Sequence, residues 1–197
     1  MFESSLMEKR NDEINNDLIE RCKYADSKAQ NVIYQMYARA MFHVAMRILN
    51  HSQWAEDAVQ EAFISAFKKI KSYKGESSFG SWLKRIVVRK SIDECRKRNN
   101  QLYEDISKSV KEIPDEEILL DVEESAEMIK KIRKAMLCLP EGYRIVLNLN
   151  LFEGYDHQEI SEILKIKESA SRSQLCRAKQ KLKEQITKNN LSSENRN

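Results

Sequence analysis

Residues 55–98 read AEDAVQEAFISAFKKIKSYKGESSFGSWLKRIVVRKSIDECRKR, and the apolar spacing in this stretch decides the fold class. In its first half the apolar side chains recur every three or four positions, at Ala55, Ala58, Val59, Ala62, Phe63, Ala66, Phe67 and Ile70. This periodicity predicts an amphipathic helix with one buried face. Gly75 and the serines after it interrupt the pattern. A further helix is predicted from near Ser78 through Trp82 to Arg98.

The residues before this stretch predict another helix. Apolar side chains repeat at helical spacing over 26–49, at Val32, Ile33, Met36, Tyr37, Ala40, Met41, Val44, Ala45 and Ile48. Residues 1–25 are expected to form a polar tail and the start of this helix. Ser52 is the expected N-cap of the next one. Three helices joined by short loops predict a small bundle over residues 26–98.

After the bundle the composition changes. Residues 99–124 are polar and acidic, contain Pro114 and lack sustained periodicity, so they are predicted to form a flexible linker. Helical periodicity resumes near Ser125. Pro140 stands where it can open a further helix, which Gly154 is expected to end.

The C-terminal part predicts a helix-turn-helix. Asp156 and Glu159 have the spacing of a capping box, which would begin a short helix over 157–164. A tight connection then leads into a long basic helix. The second domain is predicted over 125–188, with a polar tail over 189–197. The chain is thus expected to be all-α, with two small helical domains on an acidic linker.

Charge along the chain is segregated. Residues 68–98 hold eleven basic and three acidic side chains, and residues 165–188 hold eight basic and two acidic ones. Between them, residues 104–127 hold ten acidic and two basic side chains. A uniformly charged globule does not usually divide its charge in this way. The pattern indicates two basic modules that flank an acidic segment.

Several classes of protein fit the sequence poorly. No apolar run approaches the roughly 20 residues that span a bilayer, and the N-terminus lacks an apolar signal core, so a cytoplasmic protein is expected. The four cysteines form no C-x-x-C pair, which predicts free thiols in a reducing compartment. The histidines show no metal-ligand spacing, and no phosphate-binding glycine loop or nucleophile–base pair is found. We therefore expect no enzyme activity, no metal and no cofactor.

The first basic module carries two candidate surfaces. Asp57, Gln60 and Glu61 lie away from the apolar stripe of their helix, and an acidic patch there would repel DNA phosphates. This indicates a basic protein partner, with an ordinary solvated helix face as the alternative. The loop SYKGESSF places Tyr73 and Phe79 beside basic residues, a combination that can bind single-stranded bases. Core packing is the alternative for Phe79.

The long C-terminal helix carries a polar row opposite its apolar side chains. Four residues separated by one, three or four positions form this row: Arg172, Ser173, Cys176 and Arg177. Arginine reads guanine through a bidentate contact, and serine can donate or accept at a base edge. Three lysines suit backbone phosphates: Lys165, Lys179 and Lys181. The pattern favours binding to duplex DNA, and a solvent-facing basic helix stays open as the alternative.

As a whole, the chain resembles a known family. Residues 55–98 resemble region 2 of bacterial RNA polymerase sigma factors. The segments LPEGYRIVLNLNLFEGYDHQEISEIL and SRSQLCRAKQKL resemble their region 4. Because no other sigma region fits before or between them, the resemblance is to the extracytoplasmic function (ECF) group of the sigma-70 family. It implies a factor that binds core polymerase, recognises the −35 and −10 promoter elements and promotes melting. A free-standing helix-turn-helix regulator is the alternative.

The resemblance implies roles for individual residues. Asp57, Gln60 and Glu61 match a D-x-x-Q-E segment that docks on the clamp helices of the polymerase largest subunit. The family positions that contact the −10 element correspond to Lys71, Tyr73, Lys74, Phe79, Arg85, Val88 and Arg89. Those that contact the −35 element as duplex correspond to Arg172, Ser173, Cys176 and Arg177. The acidic linker matches a segment that threads toward the active-site and RNA-exit channels.

The resemblance also implies partners. Core RNA polymerase would be bound through the clamp helices and the flap. Promoter DNA would be bound as duplex at −35 and as a melted single strand at −10, and an anti-sigma factor is expected. No catalysis is implied, because the polymerase performs the chemistry.

Three residues depart from the family pattern. Arg89 stands where many members have Asn, which leaves the −10 preference open. Lys165 replaces a common turn glycine, so two alternatives stay open: this non-glycine residue adopts a positive φ, or the turn differs from that of the family. Cys176 lies in the −35 reading row, where its thiol is open to oxidation.

Overall fold

The computed structural model describes residues 16–102 and 132–194, and the regular structure in these two ranges is entirely helical. The chain divides into two compact units, Met1–Ile106 and Ser107–Asn197, called unit 1 and unit 2 below. The prediction of an all-α chain with two small helical domains is confirmed. Within the described ranges, none of the helices is both long enough and apolar enough to cross a bilayer.

Unit 1 is built around three long helices. These are α2 (Ser27–Leu49), α3 (Ser52–Lys69) and α4 (Phe79–Leu102), with a short 3₁₀ helix (Ile70–Ser72) after α3. Each long helix packs against the other two. The buried face of α3 is rich in alanine, at positions 55, 58, 62 and 66, which lets its neighbours approach closely. Larger buried side chains fill the centre: Ile33, Val44, Ile48, Leu83, Val87, Val88 and Ile92.

A separate helix, α1, occupies residues 16–23. Over residues 16–25 this corrects the expectation of a tail and the start of the first long helix, and residues 1–15 lie outside the described residues. Leu18, Ile19 and Cys22 are buried, so α1 contributes to the core of unit 1. Three apolar residues in eight positions give too short a pattern to distinguish a packed helix from a polar tail.

Asp26 joins α1 to α2. Its carboxylate accepts hydrogen bonds from the backbone N–H groups of Lys28, at 2.9 Å, and Ala29, at 3.3 Å, and so caps α2. The same carboxylate forms an ion pair with Arg21 of α1, at 2.8 Å. The hydrogen bond from Arg21, together with the capping bonds, lowers the pKa of Asp26 below its ordinary value.

The start of α3 differs from the prediction. Ser52 is the first helical residue rather than the N-cap, and the cap is His51, whose side chain makes no capping hydrogen bond among the described residues. The His51 ring instead stacks on Trp54, with ring centroids 4.0 Å apart. The guanidinium of Arg98 lies 3.7 Å from the centre of the Trp54 ring. These contacts join the start of α3 to the last turns of α4, which continues four residues beyond the predicted end.

Unit 2 contains helical residues 132–137, called α5, followed by α6 (Glu141–Leu151), α7 (His157–Leu164) and α8 (Glu168–Glu194). Pro140 is the N-cap of α6, as its position predicts, and α6 ends three residues before Gly154. The core of unit 2 consists mainly of aliphatic side chains: Ile145, Val146, Leu147, Leu149, Ile160, Leu175 and Ala178. The predicted linker beyond residue 102 and the helix start near Ser125 lie outside the described residues.

Local sequence sets the boundaries of α7. Asp156 accepts a hydrogen bond from the Glu159 N–H at 2.8 Å, and the Glu159 carboxylate accepts one from the Asp156 N–H at 3.1 Å. The predicted capping box is therefore confirmed. The helix ends at Leu164, and its C-cap, Lys165, adopts the left-handed conformation with φ 55°. Of the two alternatives for this turn, a positive φ at the non-glycine residue is the one observed.

Candidate nucleic-acid and polymerase interfaces

The exposed face of α8 is the candidate surface for duplex DNA. Arg172, Ser173, Cys176 and Arg177 are all exposed, so the structure brings together every member of the predicted row. Because an α-helix turns by about 100° per residue, these four side chains span an arc of roughly 140°. We call them the reading row. Leu175 and Ala178 lie on the opposite side and are buried.

The first two members of the reading row are bonded to the preceding turn of α8. Arg172 forms a hydrogen-bonded ion pair with Glu168. The Ser173 hydroxyl donates to the Ser169 carbonyl oxygen at 2.9 Å. Both polar groups are therefore held toward the N-terminal end of the helix, the end that a helix-turn-helix presents to base edges.

Buried Ser171 is a structural residue rather than part of a polar surface. The serines at 169, 171 and 173 look alike in the sequence, but Ser171 is completely buried while its two neighbours are exposed. Its hydroxyl lies 3.0 Å from His157 Nδ1 at the start of α7. This hydrogen bond joins the two helices of the helix-turn-helix and fixes how α8 is presented.

The three lysines predicted to contact phosphates are exposed. On the helical projection Lys179 and Lys181 lie beyond opposite edges of the reading row. Lys165 lies in the turn before α8, where its N–H closes the end of α7 on the Ser161 carbonyl. The three ammonium groups thus surround the row instead of forming part of it, an arrangement that suits phosphates at the rim of a groove.

The candidate polymerase surface lies on α3. Asp57, Gln60 and Glu61 are exposed, as predicted. Glu61 forms an ion pair with Lys90 of α4, with 3.2 Å between Oε2 and Nζ. This pair links the candidate polymerase surface to the basic helix beside it. The sequence pattern alone does not reveal it, because the two residues are far apart along the chain.

An open groove of about 440 Å³ lies between α2 and α3 next to this surface. Its lining includes Tyr34, Gln60, Phe63 and Ile64. The side chain of Ile64 is more than half exposed although it is fully apolar. Ile64 stands outside the apolar stripe of α3 in the sequence, and only the structure shows that it borders the groove with Gln60.

The loop between α3 and α4 is held by aromatic packing. Tyr73, Phe79 and Trp82 contact one another with ring centroids 5.4–5.6 Å apart. Tyr37 of α2 packs against Phe79 at 5.5 Å. The Tyr73 hydroxyl donates to the Ser77 carbonyl oxygen at 2.7 Å, and burial raises the pKa of this tyrosine. These contacts pack both ends of the loop, Tyr73 and Phe79, against α2 and α4.

The residues predicted to contact the −10 element divide into two groups. Phe79 and Val88 are buried, with 4% and 0% exposure, and have almost no surface to offer to DNA. Both residues therefore belong to the core and are not placed to contact DNA directly. For Phe79, core packing is the alternative that the sequence left open. The exposed members are Lys71, Lys74, Arg85 and Arg89, and Tyr73 is half-buried.

Two family models match the chain in the same order as these surfaces. Sigma-70 region 2 matches residues 33–101, and Sigma-70, region 4 matches residues 129–182. The ECF RNA polymerase sigma factor SigW of Bacillus subtilis is 30% identical over 176 residues, which cover 85% of this chain and 94% of that protein. The chain belongs to the ECF group of sigma-70 factors.

Further relatives of this chain are also sigma factors. The ECF RNA polymerase sigma-E factor of Haemophilus influenzae is 28% identical, over 86% of this chain and 93% of its own. The sigma factor RpoE of Bartonella quintana, solved in complex with the anti-sigma factor NepR, has the same fold. Its TM-score is 0.57 at 21% identity, over 80% of this chain and 96% of that one.

As a sigma factor, this protein binds core RNA polymerase and promoter DNA and acts in transcription initiation. The region 2 match contains the α3 surface, the aromatic loop and α4. The region 4 match contains the helix-turn-helix with its reading row. Helix α1 lies before the start of the region 2 match, although three of its side chains belong to the same core.

Proposed function

We propose that this ECF sigma factor reads the −35 promoter element through Arg172, Ser173, Cys176 and Arg177. The observation that carries the proposal is the exposure of all four side chains on one face of α8. Arg172 and Arg177 would make bidentate contacts to guanine, because their planar forks match its O6 and N7 acceptors. Lys165, Lys179 and Lys181 would contact phosphates and supply affinity for any sequence.

The −10 element is proposed to be held by the loop after α3 and the exposed side of α4. Lys71, Lys74, Arg85 and Arg89 would meet the phosphates and base edges of the melted strand. Tyr73 would border the site of an unstacked base, and a rigid pocket is needed there because extruding a base costs a few kcal/mol. Phe79 and Val88 would act from the core, by supporting the loop and α4.

Polymerase docking is proposed for Asp57, Gln60 and Glu61, with the exposed Ile64 extending the surface toward the α2–α3 groove. The support is an acidic, partly apolar surface on an otherwise basic unit. Acidic side chains repel DNA, so their natural partner is a basic protein surface, here the clamp helices of the largest subunit. The flap would meet the second domain.

The remaining assignments concern the organisation of the protein. The region 2 domain is proposed over residues 26–98, extended by α1 and by the last residues of α4 to Leu102, and the linker is proposed from there to 124. The region 4 domain is proposed over 125–188, extended to Glu194 by the end of α8. The factor would work in the cytoplasm and supply promoter choice while the polymerase catalyses RNA synthesis. Because the Bartonella relative was solved with an anti-sigma factor, we propose that this chain also has such an inhibitor.

Transcription in vitro tests the central proposal. The full chain is combined with core polymerase on a promoter library randomised at both elements, and the transcripts are sequenced. Enrichment of paired −35 and −10 motifs is expected. Duplex binding that is independent of polymerase, with no transcript, would instead support the free-standing regulator, which the region 2 match does not favour.

A further inference from the structure

Glu168 is the first residue of α8 and contacts Arg172, a member of the reading row. We infer that Glu168 is a positioning residue for −35 recognition, whose carboxylate holds the Arg172 guanidinium in the orientation that reads a base. This inference rests on the proposed role of the reading row. Both side chains are substantially exposed, so the pair lies on the surface that would face DNA.

The geometry of arginine allows both contacts at once. Its guanidinium has five N–H donors in a fixed planar fork. Glu168 accepts from Nη2 of Arg172, which leaves the other donors available for a guanine edge. A free arginine would lose side-chain entropy when it is fixed against a base, and prior fixation by Glu168 reduces that cost. Ser173 is held toward the same turn by its bond to the Ser169 carbonyl.

The charge of Glu168 also acts on selectivity. Non-specific affinity for DNA comes from cations that neutralise phosphates, and a carboxylate beside Arg172 weakens that contribution. The base contact depends on the direction of the donors and is therefore affected less. Specificity is a difference between two affinities, and an Arg172 that is paired with Glu168 gains less from a phosphate than from its base, which raises preference at the Arg172 base pair. The first turn of a helix favours an acidic residue, which keeps the carboxylate in place.

An ordinary helix-stabilising pair at this spacing would look the same in the free protein. The two roles differ in what the loss of Glu168 changes. A stabilising pair affects the presentation of the whole row, so every base preference should fall together. A positioning residue affects only the base pair that Arg172 reads.

The test uses holoenzyme assembled from the full chain and core polymerase, with promoter duplexes randomised across the −35 window. Parent, Glu168→Ala, Glu168→Gln, Arg172→Ala and the Glu168→Ala/Arg172→Ala double variant are compared. We expect Glu168→Ala to reduce preference at the Arg172 base pair about three- to tenfold, a coupling typical of residues in contact. Glu168→Gln should retain most of it, because the amide oxygen still accepts. Preference at the Arg177 base pair should not change.

Two controls make the result specific. Glu184→Ala removes another carboxylate of α8, one that accepts a hydrogen bond from Gln180, and should leave every base preference intact. When Arg172 is already replaced by alanine, Glu168→Ala should cause no further loss of preference at the base pair that Arg172 reads. The inference would be overturned if Glu168→Ala leaves the base preferences unchanged or lowers preference uniformly at every base pair. It would also be overturned if Glu168→Ala causes an equal loss of preference when Arg172 is absent. A parent holoenzyme that selects no −35 sequence would refute the proposed function itself.

Discussion

Individual side chains of the proposed interfaces are already paired in the free protein. Glu61 contacts Lys90, and Arg172 contacts Glu168. Exposed ion pairs of this kind contribute at most about 1 kcal/mol, so a strongly charged partner can displace or share them at little cost. At the residue scale, these pairs orient side chains without preventing them from binding.

Replacing an arginine of the reading row and replacing a phosphate-contacting lysine of α8 should have different effects on DNA binding. Arg177→Ala should reduce discrimination at one base pair by about 1–3 kcal/mol, because a bidentate contact is lost. Lys181→Ala should weaken binding to all sequences and reduce the dependence of affinity on salt. Holoenzyme binding to a −35 duplex and its single-base variants, measured at several salt concentrations, separates the two. If Arg177→Ala weakens all duplexes equally, Arg177 is a phosphate contact.

Asp26 should make the stability of unit 1 depend on pH. Asp26→Asn keeps a good N-cap but removes the ion pair with Arg21. Because the folded pKa of Asp26 is lowered, its contribution is fully present above the unfolded value of about 3.9. It is lost as the pH falls through the folded pKa. The variant should therefore unfold at lower urea than the parent at neutral pH, and the difference should shrink in acid. A difference that does not vary with pH would contradict this assignment.

The helices differ in how far local sequence defines them. Helix α7 is determined by eight consecutive residues and a capping box, and its predicted bounds are those observed. Helix α1 is not determined by its local sequence in this way. Its three apolar side chains are buried only because the rest of unit 1 covers them. The same reasoning applies to α4, where Val88 ends an apolar run with basic residues on both sides and is buried in the bundle.

Helix α6 provides a matched test of burial within one element. Leu147 is fully buried and Leu151, one turn later, is about half exposed. Leu147→Ala should lower the free energy of unfolding of unit 2 by about 2–5 kcal/mol, since it leaves a cavity. Leu151→Ala should change it by no more than about 0.5 kcal/mol. Urea unfolding of the full chain, followed by circular dichroism, measures both, and equal effects would mean that the core of unit 2 is assigned wrongly.

At the scale of the whole molecule, the proposed functions are divided between the two units. Unit 1 carries the candidate surfaces for polymerase and the −10 element, and unit 2 carries the reading row for −35. Each surface lies on helices that have their own core. A substitution on one surface should therefore leave the fold and the activity of the other unit intact.

Charge reversal on α3 tests this division. Asp57→Arg combined with Glu61→Arg should abolish binding to core polymerase, because two attractive charges become repulsive. Glu162→Arg combined with Glu184→Arg alters total charge equally and should still bind, since both residues lie outside the α3 surface. Capture of core polymerase by the tagged chain, without DNA, gives the readout. Retained binding of the α3 variant would show that polymerase docks elsewhere.

The sequence by itself determines the all-α class, the two sigma regions, the α7 capping box and the members of the reading row. These features depend on local periodicity, capping and spacing, which neighbouring residues express directly. Only the tertiary structure decides that α1 joins the core and that Phe79, Val88 and Ser171 are buried. The physical reason is that burial and long-range pairing, such as Glu61 with Lys90, depend on which distant helix covers each face.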